Sequence, residues 1–299
     1  MKPPRAYAPH EDFIAPARAY PQFWRFLAGF VLASVAYVFL ARMYFRLLYA
    51  CFPRIAPVSD SGVVEGNTPL DMYALLLSFA FMTLGAAISA RLLHHRGLGT
   101  LLGPAHLLLR DFRRVSLVVL AVGAVILLLP PWDMGGELVP NMPIGKWILL
   151  LAPSLLFVLI QVSAEEVVFR GYVQQQLAAR FRHPLVWMVL PSVLFASGHY
   201  LPDVAGDNAL LIVVWAGVFG ILMADLTARS GSLGPAIAVH FWNNVSAMLI
   251  VSLPDEMSGL ALYLSPFSMA DTEALREWMF VDFAMMFVLW LAARLAIRR

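Results

Sequence analysis

Long apolar segments recur along the whole chain, and they restrict its fold more than any other feature. Each segment is about twenty residues long, which is enough for an α-helix to cross the hydrocarbon core of a bilayer. The composition agrees, because 61% of the 299 residues are hydrophobic and only 13% are charged. Soluble domains are about 45–50% apolar and about 25% charged. The sequence therefore predicts an all-α, polytopic membrane protein.

Eight membrane-spanning helices are predicted from these segments. They cover about 24–50, 70–93, 115–131, 147–178, 184–199, 209–228, 233–252 and 275–296. Lys and Arg are more frequent in alternate connections, such as the turn that contains Arg180 and Arg182. Because basic residues accumulate on the cytoplasmic side, this alternation predicts that both termini are cytoplasmic. Arg42 and Arg46 fit less well, since they lie in the outer half of the first span.

No linker or internal repeat divides the chain, so one transmembrane domain is predicted over 23–299. Residues 1–22 are polar, rich in proline and unlike a signal peptide, and we interpret them as a loosely ordered cytoplasmic tail. Segment 94–114 mixes leucine with basic residues, which indicates either an interfacial helix or a cytoplasmic loop with a helical end. A single cysteine, Cys51, excludes an intrachain disulfide and a CxxC metal site.

Polar groups gather inside three of the predicted spans, where ionisable side chains are costly and usually functional. They are Glu165, Glu166 and Arg170 in the fourth span, His199 at the end of the fifth, and His240 and Asn244 in the seventh. Glu165 and His199 lie at similar distances from the basic turn that joins their helices, at about 1.5 Å of rise per residue. The carboxylates, imidazoles and amide are therefore predicted to converge within the membrane.

Helical spacing indicates how these groups could divide the chemistry. Glu166 and Arg170 are four residues apart and share a helix face, which predicts an ion pair. Glu165 points about 100° away from Glu166, and a carboxylate in such an apolar setting is a good general base for water. The histidines could polarise a carbonyl, bind water or ligate a metal, and Asn244 could orient His240 or bind an oxyanion. The reaction that suits this set is amide hydrolysis.

Other intramembrane functions have weaker signals. The sequence lacks the H-E-x-x-H motif of zincins and the G-x-G-D motif that would make Asp225 or Asp282 catalytic. F-A-S-G at 195–198 lacks the first glycine of a rhomboid-type motif, which leaves a Ser197–His240 dyad as an alternative. A non-catalytic immunity or scaffold protein would retain the polar groups for packing. A transporter would use the carboxylates as a proton relay, although no repeat symmetry is visible.

Three segments match motifs in the order of a known family. E-E-V-V-F-R at 165–170 fits E-E-x-x-x-R, F-A-S-G-H at 195–199 fits F-x-x-x-H, and H-F-W-N-N at 240–244 fits H-x-x-x-N. Together they resemble the CAAX protease and bacteriocin-processing family, also called Abi or type II CAAX prenyl endopeptidases. The resembling core covers about 145–252.

The resemblance implies an eight-helix intramembrane endopeptidase that cleaves a peptide bond near the cytoplasmic face. It implies that Glu165 activates water with the help of Glu166, and that Arg170 braces this pair. It also implies that His199 and His240 complete the site and that Asn244 supports the oxyanion. His199 and His240 would be zinc ligands if a metal is bound, and glutamate-dependent catalysis without a metal is the alternative.

The expected partners follow from the same resemblance. They are the lipid bilayer and a peptide or protein substrate, with lipidated and membrane-embedded substrates included. No nucleic-acid partner is expected. We expect a multi-pass protein of a bacterial inner or plasma membrane.

Overall fold

The computed structural model describes residues 5–52, 66–129, 136–255 and 257–298. Its helices are α1 (Ala8–Ile14), α2 (Phe23–Cys51), α3 (Pro69–Ser78), α4 (Ala80–His94), α5 (Gly99–Leu102), α6 (Ala105–Leu127), α7 (Ile144–Glu166), α8 (Gln175–Arg180), α9 (Pro184–Ser197), α10 (Pro202–Ala205), α11 (Ala209–Ser230), α12 (Gly234–Val245) and α13 (Thr272–Ala296). A π-helical stretch, Val167–Gln174, joins α7 to α8 without a break. A second one, Ser246–Ile250, continues α12.

Each predicted span falls on a helical segment, and the prediction of an all-α membrane protein is confirmed. Five segments are long and apolar enough to cross a membrane: Phe23–Cys51, Pro69–His94, Ile144–Arg180, Pro202–Ser230 and Thr272–Ala296. Pro184–Ser197 is apolar but shorter. The other two predicted spans fall on α6 and α12. Residues 130 and 131 of the third span lie outside the described residues.

Local sequence explains where several of these helices begin and end. The Thr68 side chain accepts a hydrogen bond from the Asp71 backbone N–H, and Pro69 occupies the first turn of α3, where a missing N–H costs nothing. The predicted start of α9 at Pro184 is likewise confirmed, with His183 as its cap. Gly231 ends α11 with φ of 74°, a left-handed conformation that glycine adopts without steric cost.

The prediction of a loosely ordered tail is wrong for residues 5–19. This segment forms α1 between two short 3₁₀-helices, and its Phe13, Ile14 and Ala17 side chains are buried. It packs against α8 and α11, where burial of apolar surface stabilises an ordered conformation. The backbone approaches closely, since a Cβ on Gly231 would lie 2.7 Å from the Pro9 carbonyl oxygen. Residues 1–4 lie outside the described part of the chain.

Segment 94–114 contains a turn, the short helix α5 and the beginning of α6. Leu101 in α5 is buried and contacts the π-helical stretch after α7. A Cβ on Gly171 would lie only 2.7 Å from the Leu101 carbonyl oxygen. The segment is therefore anchored on the protein and agrees with the alternative of a loop with a helical end.

Three two-residue strands join the connections on either side of the site helices: β1 (Val139–Pro140), β2 (Val251–Ser252) and β3 (Tyr263–Leu264). Their order is β1-β3-β2. Strand β1 pairs antiparallel with β3, and β2 pairs parallel with β3. Because β1 precedes α7 and β2 follows α12 with its π-helical extension, this small sheet links the ends of two helices that pack against each other.

Candidate active site

A single imidazole bridges two adjacent carboxylates where α7 packs on α12. His240 Nδ1 lies 2.8 Å from Glu166 Oε1, and His240 Nε2 lies 3.4 Å from Glu165 Oε2. Arg170 Nη1 donates a hydrogen bond of 3.0 Å to the same Glu166 oxygen. The structure therefore brings together four of the six predicted residues, and the predicted Glu166–Arg170 ion pair is confirmed.

The two carboxylates differ in exposure. Glu166 and Arg170 are completely buried, whereas 12% of the Glu165 side chain is exposed. Glu165 is thus the carboxylate that water or a substrate could reach, and Glu166 is an internal anchor. This division follows from helix geometry, because successive residues point about 100° apart.

The two ring nitrogens of His240 make different contacts. The Nδ1 contact with Glu166 is a hydrogen bond, and because a carboxylate oxygen only accepts, Nδ1 carries the hydrogen. The 3.4 Å separation of Nε2 from Glu165 Oε2 is an ion-pair distance. A neutral ring in this tautomer has a lone pair on Nε2, and Nε2 could therefore share a proton with Glu165.

Arg170 holds this group against two further helices. Its Nη2 donates to the Gly220 carbonyl oxygen of α11 at 3.2 Å, and its guanidinium lies 4.9 Å from the centre of the Phe195 ring of α9. Arg170 lies in the first π-helical stretch, and such distortions of an α-helix are frequent at functional sites. The stretch was not predicted from the sequence.

Among the described residues, His199 forms no hydrogen bond or ion pair with Glu165 or Glu166. Its Nδ1 is 3.0 Å from the Phe195 carbonyl oxygen. Because a carbonyl can only accept, Nδ1 carries the hydrogen and Nε2 of the neutral ring is left with a lone pair. The Phe195 ring packs against both histidines, with its centre 4.6 Å from the His199 ring centre and 6.0 Å from that of His240.

Asn244 is one turn beyond His240 and contacts other amides. Its Nδ2 donates to Gln161 Oε1 at 2.9 Å, and its Oδ1 accepts from Asn243 Nδ2 at 3.2 Å. The contact in which Asn244 would orient His240 is not seen among these hydrogen bonds. Sequence reasoning did not select Gln161, although it is the polar residue that ends the apolar run one turn before Glu165.

The other residues considered from the sequence have different surroundings. Ser197 donates to the Leu194 carbonyl oxygen at 2.7 Å, so the alternative Ser197–His240 dyad is not formed. Asp225 accepts hydrogen bonds from Tyr7, Arg229 and Trp290. These contacts tie the N-terminal segment, α11 and α13 together and leave no role for Asp225 at the site.

The side chains around His240 do not match a resident zinc ion. Among residues 5–52, 66–129, 136–255 and 257–298, no group of three or more His, Cys, Asp and Glu side chains is placed to hold a metal. Both ring nitrogens of His240 face carboxylate oxygens, and His199 Nδ1 contacts the Phe195 carbonyl oxygen. A catalytic zinc site needs three protein ligands and an open position.

Comparison with known proteins identifies relatives at the family level. Residues 147–246 match the family described as type II CAAX prenyl endopeptidase Rce1-like, and this range contains all three motifs. The predicted resemblance to the CAAX protease and bacteriocin-processing family is thus confirmed. The chain is also 26% identical over 268 residues to YyaK, an uncharacterized protein of Bacillus subtilis (strain 168), with 83% of this chain and 84% of YyaK covered. No solved structure matches the chain significantly.

Proposed function

We propose that this chain, whose residues 147–246 match the type II CAAX endopeptidase family, is a glutamate-dependent intramembrane endopeptidase. The family supports protease activity in general. The observation that supports the mechanism is the His240 ring between Glu165 and Glu166. Glu165 is the partly exposed base, His240 can share the proton that Glu165 takes up, and the buried Glu166 holds the His240 ring in place.

In the proposed reaction Glu165 takes a proton from a water molecule, and the resulting hydroxide attacks the carbonyl carbon of the peptide bond. His240 shares the proton taken up by Glu165, while Glu166 and Arg170 hold the ring in place. An Asn244 N–H supports the oxyanion of the tetrahedral intermediate. The proton then moves to the leaving amine nitrogen as the C–N bond breaks, and the products are a carboxylic acid and an amine.

Helix α9 supports a substrate path beside His199. Its 14 residues extend about 21 Å, which is less than the roughly 30 Å thickness of the hydrocarbon core. The chain after Ser197 would therefore run at membrane depth, where irregular backbone is tolerated only if it is buried or lines a cavity. We infer that His199 faces this path and that a peptide or protein substrate, membrane-embedded or lipidated, enters there.

The proposed topology has eight crossings and both termini in the cytoplasm. In addition to the five long apolar segments, three further crossings would be formed by α6, by α9 together with the chain that follows it, and by α12 with its π-helical extension. The basic connection between α4 and α6 and the turn with Arg180 and Arg182 would then be cytoplasmic. A bacterial inner or plasma membrane is the proposed location, with cleavage towards the cytoplasmic face.

The test is cleavage by the purified protein in proteoliposomes. The probes are a library of internally quenched fluorescent peptides and a farnesylated CAAX peptide, with products identified by mass spectrometry. We expect wild type to cleave at least one probe and Glu165→Gln to lower kcat roughly 10²–10⁴-fold, the usual loss for a general base. Asp282→Asn, which removes a carboxylate from α13, is the matched control and should retain activity.

Two results would reject the protease. One is a folded Glu165→Gln variant that cleaves as fast as wild type. The other is a folded wild-type protein that cleaves none of the probes, which would favour the non-catalytic immunity or scaffold protein. Folding of each variant is checked by thermal melting of tryptophan fluorescence.

A further inference from the structure

Two polar contacts, one helical turn apart, join α7 to α12. Gln161 and Glu165 are four residues apart on α7, and His240 and Asn244 are four residues apart on α12. Gln161 contacts Asn244, and Glu165 contacts His240. The earlier residue on one helix pairs with the later residue on the other, so the two helices run antiparallel. Each contact therefore helps to set the relative height of the two helices at the other contact.

The contact between Gln161 and Asn244 is buried. Gln161 is 4% exposed and Asn244 is 9% exposed. A buried amide without a hydrogen-bond partner costs free energy, so the orientation of each amide is strongly determined by its neighbours. Asn243, Asn244 and Gln161 form a chain in which each Nδ2 group donates to the next side-chain oxygen.

This chain of amides leaves Asn244 with one uncommitted hydrogen. The Asn244 oxygen accepts from Asn243 and one Nδ2 hydrogen is donated to Gln161, so the second Nδ2 hydrogen is the one side-chain donor of Asn244 that these contacts leave for a substrate oxygen. If Gln161 could not accept, the Asn244 amide could rotate. Its oxygen could then face the reacting carbonyl, where it would repel a developing negative charge.

We propose that Gln161 is a positioning residue that directs the second N–H of Asn244 at the oxyanion. This inference rests on the proposed protease and adds a residue that none of the three sequence motifs contains. Gln161 acts through Asn244 and does not touch the substrate. Its effect should therefore appear in kcat, because an oxyanion exists only after attack on the carbonyl.

The test is Gln161→Met, which keeps the length of the side chain and removes the acceptor oxygen. Removing an oxyanion donor itself costs about 10²–10³-fold in kcat, so removing its support should cost about 10–100-fold. The KM value should change by less than about twofold. Tyr73→Phe is the matched control, because it removes hydrogen bonds to Leu150 and Ser154 two to three turns earlier on the same helix, and it should retain kcat.

A double-mutant cycle separates positioning from packing. If Gln161 acts through Asn244, Gln161→Met should cause no further loss of kcat in an Asn244→Ala background. Multiplied losses, or a wild-type kcat for Gln161→Met, would overturn the proposal. If the methionine variant does not fold, Gln161→Ala is measured in the same cycle and judged by the same two criteria.

The cycle also separates this inference from the proposed function. Cleavage by wild type, loss in Glu165→Gln and loss in Asn244→Ala would support the protease. If Gln161→Met then matches wild type, only the role of Gln161 is rejected. Full activity of folded Glu165→Gln rejects the protease itself and, with it, the role assigned to Gln161.

Discussion

Replacement of Arg170 by methionine tests the idea that the buried charges of the site depend on one another. Arg170 and Glu166 are both completely buried. Glu166 Oε1 accepts from Arg170 and His240, while Glu166 Oε2 has no partner among the described residues. Arg170→Met would leave this carboxylate with His240 alone. Removing one partner of a buried ion pair costs roughly 3–5 kcal/mol of the free energy of unfolding.

Arg229 provides a matched control on another helix. It forms an ion pair with Asp225 at the same spacing of four residues, but 23% of its side chain is exposed. After Arg229→Met, Asp225 would still accept hydrogen bonds from the Tyr7 hydroxyl and the Trp290 N–H. Because donors remain and water screens the charge, we expect a loss of about 1 kcal/mol.

The two losses can be compared by SDS titration of the protein in mixed micelles, with tryptophan fluorescence as the signal. The double variant Glu166→Gln, Arg170→Met should regain about 2 kcal/mol relative to Arg170→Met. A neutral amide costs less to bury than an unpaired carboxylate. This recovery would show that Arg170→Met loses stability because the Glu166 carboxylate is left without its ion-pair partner, and not because of the shape of the methionine side chain.

Two outcomes would refute this reasoning. Arg170→Met could lose no more stability than Arg229→Met, which would mean that the guanidinium does not compensate the buried carboxylate. Alternatively, the double variant could be no more stable than Arg170→Met, which would assign the loss to packing against Phe195 and Gly220.

Three further predictions concern the N-terminal segment, a helix contact and the chemistry. Burial, with a smaller effect from Arg18, lowers the pKa of His10 to about 3, so the unfolded segment binds more protons between about pH 6.5 and pH 3. We therefore expect hydrogen exchange to show that the stability of this segment falls as pH falls through that window. The His10→Phe variant should lose this pH dependence. A wild-type segment that stays equally protected from pH 7 to pH 4 would contradict the prediction. A Cβ on Gly85 would lie 2.6 Å from the Ala33 carbonyl oxygen. Gly85→Leu should therefore push α2 away from α4 and lower the free energy of unfolding, measured by SDS titration, by about 1–3 kcal/mol. Gly123→Leu is the control, because a Cβ at Gly123 meets open space, and it should change stability little. Since both nitrogens of His240 face carboxylates, 1,10-phenanthroline should leave proteolysis unchanged; inhibition that added zinc reverses would show that the site rearranges to bind metal.

The helices and the main ion pair could be predicted from the sequence because they depend on local spacing. Apolar runs of suitable length predict helices wherever they occur, and every predicted span falls on one. Glu166 and Arg170 are four residues apart, so any helical conformation brings their side chains to one face. The proximity of Glu165 and His240 agrees with the predicted convergence, although distance from the basic turn had matched Glu165 with His199.

The remaining features depend on how the helices are rotated and on which surfaces they cover. The π-helical stretch around Arg170 changes the directions in which the following side chains point, and no local sequence pattern predicted it. Both histidines belong to recognisable motifs, yet only His240 contacts the carboxylates, while His199 packs against Phe195 and bonds to its carbonyl oxygen. The N-terminal segment is polar and rich in proline in sequence, yet Phe13 and Ile14 find a buried surface formed by distant helices.

The sequence by itself determined the class of the protein, its helical segments and the residues around which a site is built. The length of an apolar segment and its helical periodicity depend only on neighbouring residues, so both can be read from the sequence. Only the tertiary structure decided that His240 lies between both carboxylates and that Gln161 is the partner of Asn244. Those contacts join residues 74 to 83 positions apart, and they form only when packing sets both the rotation and the relative height of two helices.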